Sequence, residues 1–136
     1  MVRNINKNVL LLGRKSEPAS KLDSAVITDL KDTLKAHSGE CVGMAANMIG
    51  EFKRIIIVSI GEIDMIMINP VICSKKLPFD TQEGCLSLEG VRTVKRFREI
   101  NVEYLDEGFI KRKRKFSGFT AQIIQHEIDH CDGIII

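Results

Sequence analysis

The sequence predicts an α+β fold: an amphipathic helix first, short strands in the middle, and a second helix at the end. Two patterns carry that prediction. Apolar residues recur at helical spacing near each end, and β-branched runs punctuated by turn signals lie between them. The 136 residues suit a single domain, 1–136, large enough to bury a core without disulfides. No repeat, low-complexity tract or Pro/Gly/Ser linker divides it.

The first helix is expected from Ser20 to Ala36, where Leu22, Ala25, Val26, Leu30 and Leu34 form one apolar face and His37-Ser38-Gly39 ends it. Arg54 to Ile60 is short and β-branched and reads as a buried strand. Gly61-Glu62 turns the chain into a second strand, Met65 to Ile68, which Asn69-Pro70 stops. Ile100 to Leu105 and Phe109 to Phe116 flank Asp106-Glu107-Gly108, a hairpin turn. Ser117 to Cys131 is the last helix, with Phe119, Ile123, Ile124 and Ile128 on its apolar face and Gly133 just past its end.

Composition excludes several classes. With 44% hydrophobic and 28% charged residues, the chain is neither disordered nor unusual for a globular protein. A net charge of +2 gives no reason to expect a specific nucleic-acid partner. Ile55–Ile60 and Ile134–Ile136 are too short to span a bilayer, so no membrane partner is expected. The first eight residues lack the apolar run of a signal peptide, which makes the cytoplasm the expected location. In that reducing compartment the four cysteines stay free, and Cys41 and Cys73 read as small buried hydrophobes.

The chemistry concentrates in His126-Glu127-Ile128-Asp129-His130, an H-E-x-x-H pattern on the last helix. Residues four apart share a helix face, so both imidazoles can reach one metal ion. Glu127, beside the first ligand, can take a proton from an attacking water. The plain alternative, two exposed histidines on a charged face, fits poorly: only three histidines occur in the chain, and the residues before the motif are apolar. A catalytic tetrahedral site needs a third protein ligand and leaves one position open. Cys85, in the turn-like stretch Glu83-Gly84-Cys85-Leu86-Ser87, can supply it; two imidazoles and a thiolate suit Fe(II), Zn(II), Ni(II) or Co(II).

Three segments resemble the signature motifs of the peptide deformylases, in order and spacing along nearly the whole chain. They are Cys41-Val42-Gly43-Met44-Ala45-Ala46-Asn47-Met48, Glu83 to Ser87, and Gln125 to His130. The resemblance implies antiparallel β-sheets packed around a C-terminal metal-binding helix. It also implies an enzyme removing the formyl group from the N-terminal formylmethionine of nascent peptides, with one divalent ion, natively Fe(II) and replaceable by Zn(II), Ni(II) or Co(II). Cys85, His126 and His130 would be the metal ligands and Glu127 the acid/base. The backbone N–H of Leu86 and the side chain at position 48 would face the oxyanion. Gly43, Leu86 and Ile123, by their motif positions, would line the methionine pocket, and Arg96 would pair with Glu83 to fix the cysteine loop.

The chain departs from the family pattern at two positions of the first motif. Cys41 stands where the family has glycine, and Met48 where it has glutamine. A thioether donates no hydrogen bond, so an attenuated hydrolase is expected. Asn47 would substitute only through a shift of register in what reads as an extended segment. A further departure, Glu89, puts a carboxylate near the expected cleft mouth. The alternatives are a deformylase-like paralogue that binds metal and N-formyl or N-acyl peptides with little turnover, and a structural metal site with His37 or Cys131 as fourth ligand. The helix turns about 100° between His130 and Cys131, which disfavours the latter. Met44, Met48, Met65 and Met67 read as core. Lys111-Arg112-Lys113-Arg114-Lys115 reads as a solvated edge strand or a weak ribosome contact.

Overall fold

A computed structural model describes residues 1–136. Five strands follow one another: β1 (Gly43–Ala45), β2 (Ile55–Ile60), β3 (Ile63–Cys85), β4 (Leu88–Leu105) and β5 (Lys111–Ser117). Each pairs antiparallel with the next, in one sheet of order β1-β2-β3-β4-β5. The helices are α1 (Val9–Leu12), α2 (Ser24–Ala36) and α3 (Gly118–Cys131). This is the α+β arrangement the sequence predicts.

The continuous apolar run of β2 is explained by cover on both faces. Alternation sends Ile55 and Ile57 to one side, where they meet Val26, Ile27, Leu30 and Leu34 of α2. Ile56 and Val58 go to the other, against Ile100, Val102 and Tyr104 of β4 and Ala121, Ile124 and Ile128 of α3. Burying each such side chain contributes roughly 1.5–3 kcal/mol. The sheet is therefore a plate between α2 and α3, and α3 reaches its place by packing on it.

Several boundaries differ from expectation. Residues 20–23 form not the start of α2 but a 3₁₀ turn, Lys21–Asp23, closed by reciprocal hydrogen bonds between Ser20 and Asp23. Leu22 is consequently 94% exposed rather than part of the apolar face. β3 does not stop at Asn69-Pro70. A register shift between Ile68 and Val71 absorbs the proline, which has no N–H to donate, as a bulge. Asn69 takes the left-handed backbone, φ 50°, and its side chain makes a two-bond bridge to the backbone of Ala19. Beyond the bulge, β3 and β4 continue as a long ribbon through residues whose sequence predicts no strand. They are mostly exposed, so stability there comes from strand pairing rather than from an apolar face. Cys73 lies on that ribbon and is exposed, not buried. Phe119 is likewise 64% exposed, not core.

Candidate functional site

The site forms where the β3–β4 turn meets α3. Cys85 is the last residue of β3, and Leu86 and Ser87 make the turn into β4. A register shift between Gly84 and Cys85 bends the ribbon at that point. On α3 the residues Phe119, Gln122, Ile123, His126 and Glu127 recur at three- and four-residue spacing and line one cleft of about 480 Å³. Cys41, Val42, Gly43 and Met48 line its opposite wall, and Cys85 and Leu86 its end.

The donor atoms of Cys85, His126 and His130 lie within 4.8 Å of one another. Nε2 of His130 is 3.1 Å from Nε2 of His126 and 3.4 Å from Sγ of Cys85. His126 Nδ1 faces Glu83 Oε1 at 2.7 Å, which turns its Nε2 toward the other two. Glu83 also accepts from Arg96 Nε and Nη2, at 3.0 and 2.7 Å, and from Gln122 Nε2 at 2.9 Å. Arg96 Nη1 in turn reaches Asp129 Oδ2 at 2.6 Å. The Arg96–Glu83 pair read from the sequence is present, and its extension to Asp129, Gln122 and His126 was not legible there.

Electrostatics follow from this burial and bonding. Burial alone would raise the Glu83 carboxyl, but hydrogen bonds from His126, Arg96 and Gln122 outweigh it and hold the pKa at about 2. For His126 burial works against the charge, yet bonds to Cys85 and Glu83 prevail and raise its pKa; His130 is lowered by burial and by the charge of His126. Glu83 thus places a buried negative charge directly behind the His126 imidazole, whose other nitrogen faces Cys85 and His130. Glu127 is 4% exposed, and its Oε1 has no hydrogen-bond partner. Burial pushes its carboxyl up to about 7.

Gly43 is a glycine because of Glu127 and Ile123. A Cβ there would lie 2.6 Å from Ile123 Cγ2 and 2.9 Å from Glu127 Oε2. All eight site residues expected from the sequence, Gly43, Met48, Cys85, Leu86, Ile123, His126, Glu127 and His130, therefore come together. Asn47 does not face the cleft. Residues Ala46–Ile49 form a 3₁₀ turn rather than the extended segment expected, and Asn47 Nδ2 donates to His130 O at 2.9 Å. Cys41 is half-buried on the cleft wall, not a core residue, with its thiol donating to Gly43 O and burial raising its pKa to about 11. Glu89 is exposed and off the cleft; Glu40 brings a carboxylate there instead. Neither His37 nor Cys131 joins the cluster: His37 Nδ1 pairs with Glu40 and Cys131 packs in the core.

An α+β plate carrying an H-E-x-x-H helix against a cysteine turn defines a metal-dependent hydrolase. The chain matches the polypeptide deformylase family model over residues 2–136 and belongs to that family. It is 56% identical to a peptide deformylase of Clostridium beijerinckii over 136 residues, all of both chains. The crystal structure of a class I type b peptide deformylase from Acinetobacter baumannii with actinonin bound is 29% identical. It superimposes with a TM-score of 0.88 over 99% of this chain and 95% of that one. The same enzyme with Met-Ala-Ser bound gives 0.88 at 28% identity, over 99% and 97%. Members of the family are divalent-metal enzymes, and the reaction is removal of the N-formyl group from nascent peptides.

Proposed function

We propose that this chain, as one domain over residues 1–136, runs deformylation with Cys85, His126 and His130 holding the divalent ion and Glu127 moving the proton. The observation that carries this reading is the convergence of those three donor atoms within 4.8 Å beside a buried carboxylate with an unpartnered oxygen. The donor set fits a borderline-soft ion, with Fe(II) as the native metal and Zn(II), Ni(II) or Co(II) as substitutes. Once bound, such an ion supplies Lewis acidity toward the formyl oxygen and the attacking water. Glu127 Oε1 takes the proton of that water and returns it to the departing amine nitrogen as the C–N bond breaks, leaving formate and a free amino terminus. Glu83, held by Arg96, keeps the His126 ring in its orientation.

Gly43, Met48, Leu86 and Ile123 line the methionine side of the cleft, and the Leu86 N–H faces the oxyanion. The Met-Ala-Ser bound to the Acinetobacter baumannii enzyme supports a short peptide in the equivalent cleft. Met48 brings no donor: its sulfur instead accepts from Ala45 N at 3.5 Å. Loss of one oxyanion donor typically costs about a hundred- to a thousandfold in rate. The chain is accordingly an attenuated deformylase. The test is the rate on formyl-Met-Ala-Ser of anaerobically prepared Fe(II) protein beside Met48→Gln, with a gain of at least about tenfold expected. Equal rates would remove the oxyanion argument. If both proteins are inert with metal bound, the deformylase reading fails, and hydrolysis of another amide or peptide binding without turnover takes its place.

The basic strand β5 offers a weak ribosome contact in the cytoplasm. It forms the sheet edge, with Lys111 to Lys115 exposed, although Arg112, Lys113 and Lys115 are partly neutralised by Asp106, Glu103 and Glu99. A charge-reversed Lys111/Arg112/Lys113 variant should co-sediment with ribosomes less than wild type; equal co-sedimentation removes the contact.

A further inference from the structure

Asn47 joins two distant parts of the site. It lies in the 3₁₀ turn of the first motif, 83 residues before His130, and both side chains are 1% exposed. The turn itself is pinned: Asn6 Nδ2 donates to Asn47 O at 3.1 Å, and Gly50 N donates to the same oxygen. From that fixed base, Asn47 Nδ2 donates to the carbonyl of His130. A carbonyl only accepts, so the orientation of the amide is determined and Asn47 Oδ1 is directed elsewhere. The His130 carbonyl, in the last turn of α3, also accepts from Gly133 N at 3.0 Å, so the bond from Asn47 is a second one and the one that ties this turn to the first motif.

Two buried atoms here lack partners, Oδ1 of Asn47 and Nδ1 of His130. One is an acceptor. The other is a donor in any imidazole that offers Nε2 to a cation. Metal-ligating histidines are ordinarily held through their second nitrogen, as His126 is by Glu83. His130 has no such carboxylate on Nδ1, and Asn47 is the side chain that holds its backbone carbonyl.

We propose that Asn47 is a positioning residue for His130, anchoring the end of α3 to the first motif so that the His130 imidazole meets Cys85 and His126. The proposal rests on the reading of His130 as a ligand. It gives Asn47 a role distinct from the cleft-facing one of its neighbour Met48. It also separates Asn47 from Arg54, whose Nη1 caps the next carbonyl, that of Cys131, at 3.1 Å without touching a ligand residue.

The experiment uses the full chain loaded with Co(II), whose visible bands report ligand geometry. The variants are Asn47→Ala, Asn47→Asp and, as a control, Arg54→Ala. Three quantities are measured: the band positions, the rate of Co(II) release to excess chelator, and the thermal midpoint of the metal-free protein. Asn47→Ala and the nearly isosteric Asn47→Asp should shift the bands and release Co(II) at least about tenfold faster, while Arg54→Ala lowers the midpoint and leaves bands and release unchanged. Wild-type bands and release in both Asn47 variants would overturn the proposal, even with a lowered midpoint. Equal changes in Arg54→Ala would overturn it too, since any loosening of the helix end would then suffice. If Asn47→Ala does not fold, Asn47→Asp decides. Wild type that binds no Co(II) refutes the metal-centre reading and this proposal with it, whereas bound Co(II) with unaltered variants refutes this proposal alone.

Discussion

Replacing Gly43 by alanine should disable the enzyme while leaving it folded. The new Cβ would stand 2.6 Å from Ile123 Cγ2 and 2.9 Å from Glu127 Oε2. Carbon atoms pack at about 3.5–4.0 Å, so Ile123 must retreat by about 1 Å. It has little freedom to do so. Gln125, between the two obstructing residues, ties α3 to β4 through bonds to the N–H and carbonyl of Phe97, both at 2.8 Å. On the other side, β1 is held by three register pairs with β2. Overpacking of this kind typically costs about 1–3 kcal/mol. Rate is the more sensitive quantity, because a displacement of about 1 Å in a catalytic group can cost roughly a hundredfold. Urea unfolding should show the smaller loss. Steady-state kinetics on formyl-Met-Ala-Ser should show kcat reduced by about two orders of magnitude, with metal content unchanged. A Gly43→Ala enzyme with wild-type kcat would refute the claim that this glycine exists to let Glu127 and Ile123 approach.

Two further substitutions test the centre. Glu127→Gln should keep fold and metal, measured by circular dichroism and metal analysis, while hydrolysis drops by about 10²–10⁴-fold; full activity would remove Glu127 as the base. Arg96→Met takes the buried partner from Glu83 and Asp129, and breaking a buried pair in this way costs about 3–5 kcal/mol in urea unfolding. A loss under about 1 kcal/mol would mean that His126 and Gln122 alone satisfy Glu83.

The parts of this protein legible in its sequence are those whose signal is local. The spacing of Val26, Leu30 and Leu34 specifies the buried face of α2, and the four-residue step from His126 to His130 puts two imidazoles on one face of α3. The β3–β4 ribbon was not legible, because its residues are held by partners on the opposite strand and show no apolar period. Asn69-Pro70 reads as a strand stop. Only the hydrogen bonds of Asn69 to Ala19 and the shifted register make it a bulge. Leu22 and Phe119 have the right period for a core, but no element lies over them.

The candidate site divides along the same line. Its ligand types, the acid/base carboxylate and the two departures, Cys41 and Met48, are chemical identities, and the chain alone determines them. Which atoms meet is decided between residues far apart: Cys85 and His130 across 45 positions, Asn47 and His130 across 83. The assembly of Glu83, Arg96, Asp129 and Gln122 behind His126 is of that kind, as is the turn that sends Met48 into the cleft and Asn47 to the end of α3. The physical reason is that periodicity records which face of an element is buried, whereas a buried charge or amide is satisfied only by the neighbour that packing brings to it.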